Sequence, residues 1–307
     1  MDIDIIIPLY KPGEELFTLL DRLESQTIPV NSIILMNTEE KYFQRLVYGT
    51  DFSHKYKNVK VFHLSKREFD HGRTRRRGVS KSSAEVFVMM TQDAMPEDEF
   101  LLERLVEHLK GDVAVSYARQ LPAPDSDVLE QFSRRFNYPD RSCIKSGEDL
   151  ERLGIKTYFC SNVCAAYRRE LYDKLGGFVK HAIFNEDMIY AAGAVKSGYR
   201  IAYEAEARVI HSHNYNCRQQ FRRNFDLGVS QAQHPEIFAD IKSESEGMRM
   251  MKSVVSYLKE KHMSKRIPYF YLQCFCKYAG FLLGKHYRKL PRRLVRKCSA
   301  SPDYWQA

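Results

Sequence analysis

No apolar run in this 307-residue chain is long enough to span a membrane. The best stretch, Leu272 to Gly284, is broken by Lys277 and falls short of the roughly 18 residues a crossing helix needs. The seven cysteines, at 143, 160, 164, 217, 274, 276 and 298, are odd in number and irregular in spacing. That pattern excludes a disulfide scaffold and predicts reduced thiols in a cytosolic compartment. Cys160/Cys164 and Cys274/Cys276 do not make the paired C-x-x-C set of a structural zinc site. Neither a G-x-G-x-x-G fingerprint nor a G-x-x-x-x-G-K-[ST] phosphate loop is present. Internal repeats and low-complexity linkers are lacking too. Met1-Asp2-Ile3-Asp4 carries two acids and no basic segment, which predicts no secretory leader.

What is present reads as a folded protein, with 44% hydrophobic and 28% charged residues. The net charge of +9 is unevenly placed. Residues 251–307 hold 13 Lys/Arg against two acids, a local +11, so residues 1–250 carry −2. A near-neutral body with a basic tail is not the charge layout of a nucleic-acid binder.

Ile3 to Leu9 is almost continuously apolar, as a strand buried on both faces of a parallel sheet would be. Leu16, Leu19, Leu20 and Leu23 recur at helical spacing within Glu14 to Gln26. Further strands are predicted at Ser32 to Met36, Val59 to Leu64 and Val86 to Thr91. This alternation predicts an α/β fold, an open and mostly parallel sheet flanked by helices, with ligands at the carboxyl ends of the strands. Beyond residue 112 the spacing predicts strands at Val113 to Ala118, Ser161 to Tyr167 and Arg200 to His211. Helices are predicted at Leu129 to Phe136 and Asp187 to Ser197, and the chain reads as mostly helical from about 214.

Four stretches have the residue types that chemistry needs. Asp93 follows a buried strand, where a carboxylate can hold a metal or cap the next helix. Glu186 and Asp187 open a helix, a place suited to a general base and equally to dipole-favoured acids. His211 and His213 close a strand, and alternation puts both rings on one face, as metal ligands or as structural residues. Lys66 to Gly78 reads as a basic loop, with Arg67, Arg73, Arg75, Arg76 and Arg77 either gripping phosphate or simply solvated.

Taken in order, Ile5-Ile6-Ile7-Pro8-Leu9-Tyr10, Thr91-Gln92-Asp93-Ala94, Glu186-Asp187 and His211-Ser212-His213 resemble the motifs of glycosyltransferase family 2, inverting enzymes with the GT-A (Rossmann-like) fold. Phe69-Asp70-His71-Gly72-x-Thr74-Arg75, Arg119-Gln120-Leu121-Pro122, Phe136-Asn137-Tyr138-Pro139, Lys277-Tyr278-x-Gly280 with Leu283-Gly284-Lys285, and Ser299 to Trp305 resemble its bacterial rhamnosyltransferase branch. The resemblance implies that Asp93 is the metal-binding acid of the DxD motif, whose first acid is Thr91 here. It implies that Asp187 is the catalytic base with Glu186 its neighbour, and that His211 or His213 is a metal ligand. Pro8, Tyr10, Glu14, Asn37, Asp70, Arg75, Gln92 and Asp93 make up the implied nucleotide-sugar site. Asn37 to Glu39 stand where many members place an Asp that reads the pyrimidine, and Arg76 stands where an Asn usually follows Thr-Arg.

The resemblance thus implies transfer of L-rhamnose from dTDP-L-rhamnose to a lipid-linked or surface-polysaccharide acceptor, assisted by Mn²⁺ or Mg²⁺. A UDP-hexose donor on the same fold and a catalytically silent scaffold are the competing readings. Residues 1–215 are expected to form the catalytic domain and 216–307 a helical extension. The basic and aromatic residues of that extension suit attachment to the inner face of the cell membrane, making a peripheral, cytoplasmic protein. Removing 251–307 is expected to leave the nucleotide site largely intact.

Overall fold

The computed structural model describes residues 1–239 and 244–306. Its strands are β1 (Ile3–Tyr10), β2 (Ser32–Thr38), β3 (Val59–Leu64), β4 (Val86–Met90), β5 (Met95–Pro96), β6 (Val113–Leu121), β7 (Cys143–Lys145), β8 (Cys164–Arg168) and β9 (Arg200–Ile210). They form one sheet in the order β3-β2-β1-β4-β8-β6-β9-β5, with β7 also paired to β9.

The apolar runs form strands because both faces of the sheet are covered. Ile3, Ile5, Ile7 and Leu9 pack against Leu16, Leu19, Leu20 and Leu23 of the helix Glu15–Glu24. Ile6, Ile34, Phe87 and Met89 face the other way, toward Val79 and the helix Glu186–Lys196. The sheet is mixed rather than uniformly parallel. β1 to β4 pair in parallel, but β8 pairs antiparallel with both β4 and β6, and β9 then pairs in parallel with β6. Two antiparallel steps cancel, so β1 to β4, β6 and β9 all point the same way and their carboxyl ends share one edge.

The return from β3 to β4 on the far side of β1 makes a switch point, where α/β sheets bind ligands. Gln92 ties the two strand ends together there: Tyr10 N donates to its Oε1 at 2.8 Å, and its Nε2 donates to Tyr10 O at 3.2 Å.

One sequence expectation needs correction. The basic stretch at 66–78 is not all loop, because His71–Val79 is a helix capped by Asp70, whose Oδ1 accepts from Arg73 N at 2.8 Å. Hydropathy hides this helix because its buried face carries Arg75 and two glycines instead of a leucine stripe. Gly72 is required there, since a Cβ would lie 2.2 Å from Val179 O.

The tail packs closely on the rest of the chain. The helix Ile267–Lys285 lies against Cys217–Gln233 in backbone contact, and a Cβ on Gly280 or Gly284 would meet the carbonyl oxygen of Phe221 or Phe225 at 2.2 and 2.1 Å. Val254, Leu258 and Phe270 close on Leu129, and Val295 closes on Ile183, Phe225 and Val229. Residues 300–304 then reach the cavity at the ends of β1 and β2.

Gly284→Ala is therefore expected to destabilise the fold by about 1–3 kcal/mol through overpacking. Helix propensity alone predicts a gain of about 1 kcal/mol for the same change. Urea unfolding followed by circular dichroism reads the sign, and a more stable variant would disprove the close-contact account.

Candidate active site

Asp93 reaches its partners through a short strand pairing. β5 pairs antiparallel with the last residues of β9, Met95 opposite Ile210, so the turn before β5 and the residues after β9 meet. Asp93 lies in that turn, closed by Ala94 N donating to Thr91 O at 3.1 Å, and it caps no helix. His211 Nε2 is 3.5 Å from Asp93 Oδ1, and His213 Nε2 is 3.2 Å from Oδ2. One ligand atom from each residue falls within a mutual 4.8 Å. Residues 118 positions apart thus make one donor set.

His211 is oriented from behind. Gln120 Oε1, an atom that can only accept, sits 3.0 Å from His211 Nδ1, so Nδ1 carries a proton and Nε2 is the ring nitrogen turned toward Asp93. Gln120 is itself fixed by Arg134, which donates to the same oxygen, and by donating to Ser161 Oγ at 2.9 Å. Burial works against the Asp93 carboxylate, yet the neighbouring His211 ring outweighs it and holds the acid well below the ordinary range. Burial, with His211 adding to it, pulls His213 down to about 4. A carboxylate and two imidazoles are ligand types that divalent cations such as Mn²⁺ accept.

Asp187 lines the same cavity, of about 290 Å³. The turn before β8 brings it there. Thr91 N donates to Val163 O at 3.1 Å, and Asn162 N donates to Asp187 Oδ2 at 2.8 Å. Met188 N donates to the other carboxylate oxygen, also at 2.8 Å. Asn185 enters the helix in the left-handed region, with φ of +64°, which turns the acids inward. Burial and the charge of Glu186 raise Asp187 to about 7.

Glu186 has a different fate. It is buried, Arg75 Nε lies 3.1 Å from its Oε1, and Asn162 Nδ2 donates to that oxygen at 2.9 Å. Burial opposes its ionisation, but Arg75 overcomes it and keeps Glu186 charged.

The remaining sequence-derived candidates are dispersed. Tyr10 is exposed at the end of β1 and lines a second cavity of about 360 Å³ together with Thr38, Lys66, Asp70 and His71. Asp70 is buried and accepts from Ala182 N as well as from Arg73 N, so it serves the backbone. Arg75 lines the first cavity through its pairing with Glu186. Pro8 lies within β1, and Glu14 is an exposed residue before the first helix. Asn37 is fully buried, with Nδ2 2.9 Å from His63 Nδ1. Among the other arginines, Arg76 donates to Phe178 O at 2.8 Å and Arg73 lies 3.0 Å from His181 Nδ1.

Sequence reasoning passed over His71 and Arg223. His71 lines both cavities. Arg75 Nη1 faces its Nδ1 at 3.1 Å, which leaves Nε2–H as a donor. Arg223 comes from the helix Cys217–Gln233 and stacks on Phe184 at 4.7 Å. The motif around Asp70 and Gly72 contains His71, so a local signal existed for it. None existed for Arg223, which only tertiary closure brings in.

The carboxyl edge of the sheet thus gathers Asp93, His211, His213 and the half-buried Asp187 around one cavity, the edge at which α/β folds bind ligands. Residues 4–176 match the family described as Glycosyl transferase family 2. The chain is 39% identical over 308 residues to the O-antigen chain rhamnosyltransferase RfbN of Salmonella typhimurium, covering 99% of this chain and 96% of that one. It is 38% identical over 305 residues to the O-antigen chain rhamnosyltransferase WbaN of Salmonella anatum, covering 98% and 95%. Similar folds are the mannosyltransferase PcManGT from Pyrobaculum calidifontis in complex with GDP-Man and Mn²⁺ (TM-score 0.55, 14% identity, 99% of this chain and 84% of that one). TarS 1–349 of S. aureus in complex with UDP-GlcNAc is another (TM-score 0.53, 15% identity, 94% and 92%). The chain belongs to glycosyltransferase family 2, and it is a glycosyltransferase.

Gln120→Met keeps bulk but removes the acceptor that orients His211. Mn²⁺ affinity, read by calorimetry, is expected to fall about 10–100-fold. Unchanged affinity in a folded variant would show that Gln120 does not set the ring.

Proposed function

We propose that this enzyme transfers L-rhamnose from dTDP-L-rhamnose to a lipid-linked or growing surface polysaccharide, inverting the anomeric centre in one displacement. The observation that carries the mechanism is the convergence of Asp93, His211, His213 and Asp187 on one cavity. The rhamnosyl and O-antigen part is supported by the near full-length similarity to RfbN and WbaN. That similarity also favours rhamnose over a UDP-hexose donor and an enzyme over a scaffold.

In this reading Asp187 takes the proton of the acceptor hydroxyl as its oxygen attacks the anomeric carbon. The bond from that carbon to the diphosphate oxygen breaks, and dTDP leaves on the opposite face. The Asn162 and Met188 amides hold one carboxylate oxygen each, so the base is aimed before substrate arrives. Glu186 cannot substitute while Arg75 engages it. Asp93, His211 and His213 would hold a divalent cation, Mn²⁺ or Mg²⁺, which when bound supplies neutralisation of the diphosphate charge. His71 and Arg223 present further N–H donors to the same region.

Asp187→Asn is expected to lower transfer about 10²–10⁴-fold while dTDP affinity stays near that of the parent. Asp187 must be deprotonated to act, and its acid is raised to about 7, so transfer should climb as pH rises through about 7. The variant should lose that limb. A variant with normal transfer, or the same pH profile in both proteins, would remove Asp187 from the role of base.

We also propose attachment to the inner face of the cell membrane. Among the described residues no helix is long and apolar enough to cross one. The helix Ile267–Lys285 nonetheless exposes Leu272, Phe275, Tyr278 and Leu282 along one side. Arg288, Lys289, Arg292 and Arg293 follow at its end. Apolar insertion plus attraction of about 1 kcal/mol per basic residue suits an anionic surface. Phe275→Glu with Leu282→Glu should abolish co-sedimentation with phosphatidylglycerol vesicles, and high salt should weaken the parent. Equal sedimentation of both proteins would refute the attachment.

A further inference from the structure

We propose that the C-terminal strap, residues 299–305, forms part of the donor site, with Asp303 and Lys66 reading the hydrogen-bonding edge of the pyrimidine. The inference rests on the donor reading above and adds the residues that select the base.

The strap is held in place from inside the protein. Asp226 is buried in the helix Cys217–Gln233, and its Oδ2 accepts from Ala300 N at 2.9 Å and Ser301 N at 3.2 Å. Ser299 is fully buried, Arg292 Nη2 donates to Trp305 O at 2.9 Å, and Tyr304 OH donates to Gln233 Oε1 at 3.3 Å. Trp305 packs on Tyr287 and Tyr304 with ring centroids 5.4 and 5.3 Å apart. A terminal segment with that many anchors has a fixed path.

That path closes a binding cavity. Tyr10 and Thr38 mark the carboxyl ends of β1 and β2, and Ala300 to Tyr304 form the wall across about 360 Å³ of space. Such a volume is typical of small-molecule pockets. Lys66 Nζ and Asp303 Oδ2 meet at 3.0 Å on its lining, a donor beside an acceptor. Thymine and uracil present a carbonyl beside an N–H and complement that pair. Cytosine has its own donor–acceptor pair, N4–H beside N3, but displaced by one position along the edge; held in the thymine register, it sets the N3 lone pair against the carboxylate and its amine against Lys66. Ala182, Ile183 and Pro302 add an apolar lining that suits a methyl group. Asn37 is unavailable for this task, being buried and bound to His63.

A strap that only packed against the domain would not affect base selectivity. The full-length protein, with Mg²⁺ present, is titrated with dTDP and dCDP by calorimetry and by tryptophan emission, since Trp305 is the chain's single tryptophan. We expect dTDP to bind and shift the emission saturably, with dCDP at least about tenfold weaker. Asp303→Asn should weaken dTDP about tenfold and erase most of the difference between the bases, and Lys66→Met should act in the same direction. Each variant's melting temperature checks its fold. If the parent binds dTDP but Asp303→Asn and Lys66→Met keep its affinity and preference, or if binding leaves Trp305 emission unmoved, the strap proposal fails alone. If the parent binds no nucleoside diphosphate by calorimetry, the donor reading fails and takes this proposal with it.

Discussion

The contact between Arg75 and Glu186 decides what the two adjacent acids can do. Both side chains are almost wholly withdrawn from water, at 8% and 5% exposure. Taking such ions out of water costs several kcal/mol each, a cost that only close pairing and hydrogen bonding offset. With Glu186 held ionised by Arg75 and Asn162, its charge bears on Asp187 one residue away and raises that acid's proton affinity. Neighbouring carboxylates in different environments thus become a fixed anion and a titrating base, the separation that acid–base catalysis at neutral pH requires.

The same contact links catalysis to folding. Arg75 sits on the helix His71–Val79, which can approach the segment before Glu186 only because Gly72 lets it come against Val179. Asp70 caps that helix and also accepts from Ala182 N, which fixes the approach from the other side. Motif residues that spend their polar atoms on the backbone therefore still help to place Asp187. Asp70 and Gln92, included in the nucleotide set through their motifs, spend their polar atoms on the backbone of neighbouring segments.

The strands were legible because a strand covered on both faces must be apolar at nearly every position, and Ile3 to Leu9 and Ser32 to Met36 satisfy that rule locally. Asp93, Asp187, His211 and His213 could be named from motif order, and the shared metal role implied for Asp93 and the histidines required those to meet; the means of meeting, the two-residue pairing of β5 with β9 and the turn before β8, could not be read. The helix at 71–79 escaped because its buried face is satisfied by an ion pair rather than by apolar contact. The tail's close packing was not legible for a related reason. Its excess of basic residues lies on exposed surfaces, while the features that attach it are glycines and a single buried acid, Asp226, which carry almost no hydropathy signal.

Thr91, where the family motif has its first acid, bears on the electrostatics of the cation set. A second carboxylate beside Asp93 would neutralise a divalent ion almost completely. With one carboxylate and two imidazoles as ligands, a bound divalent ion would keep net positive charge. Burial holds His213 at about 4, which leaves its ring nitrogen free to ligate near pH 7, and Gln120 orients His211 through Nδ1. A nucleoside diphosphate approaching such a site finds an attractive charge where a two-acid site would offer a weaker one. A threonine at position 91 is thus compatible with donor binding, and a ligand set richer in nitrogen would favour Mn²⁺ over the more strictly oxygen-seeking Mg²⁺.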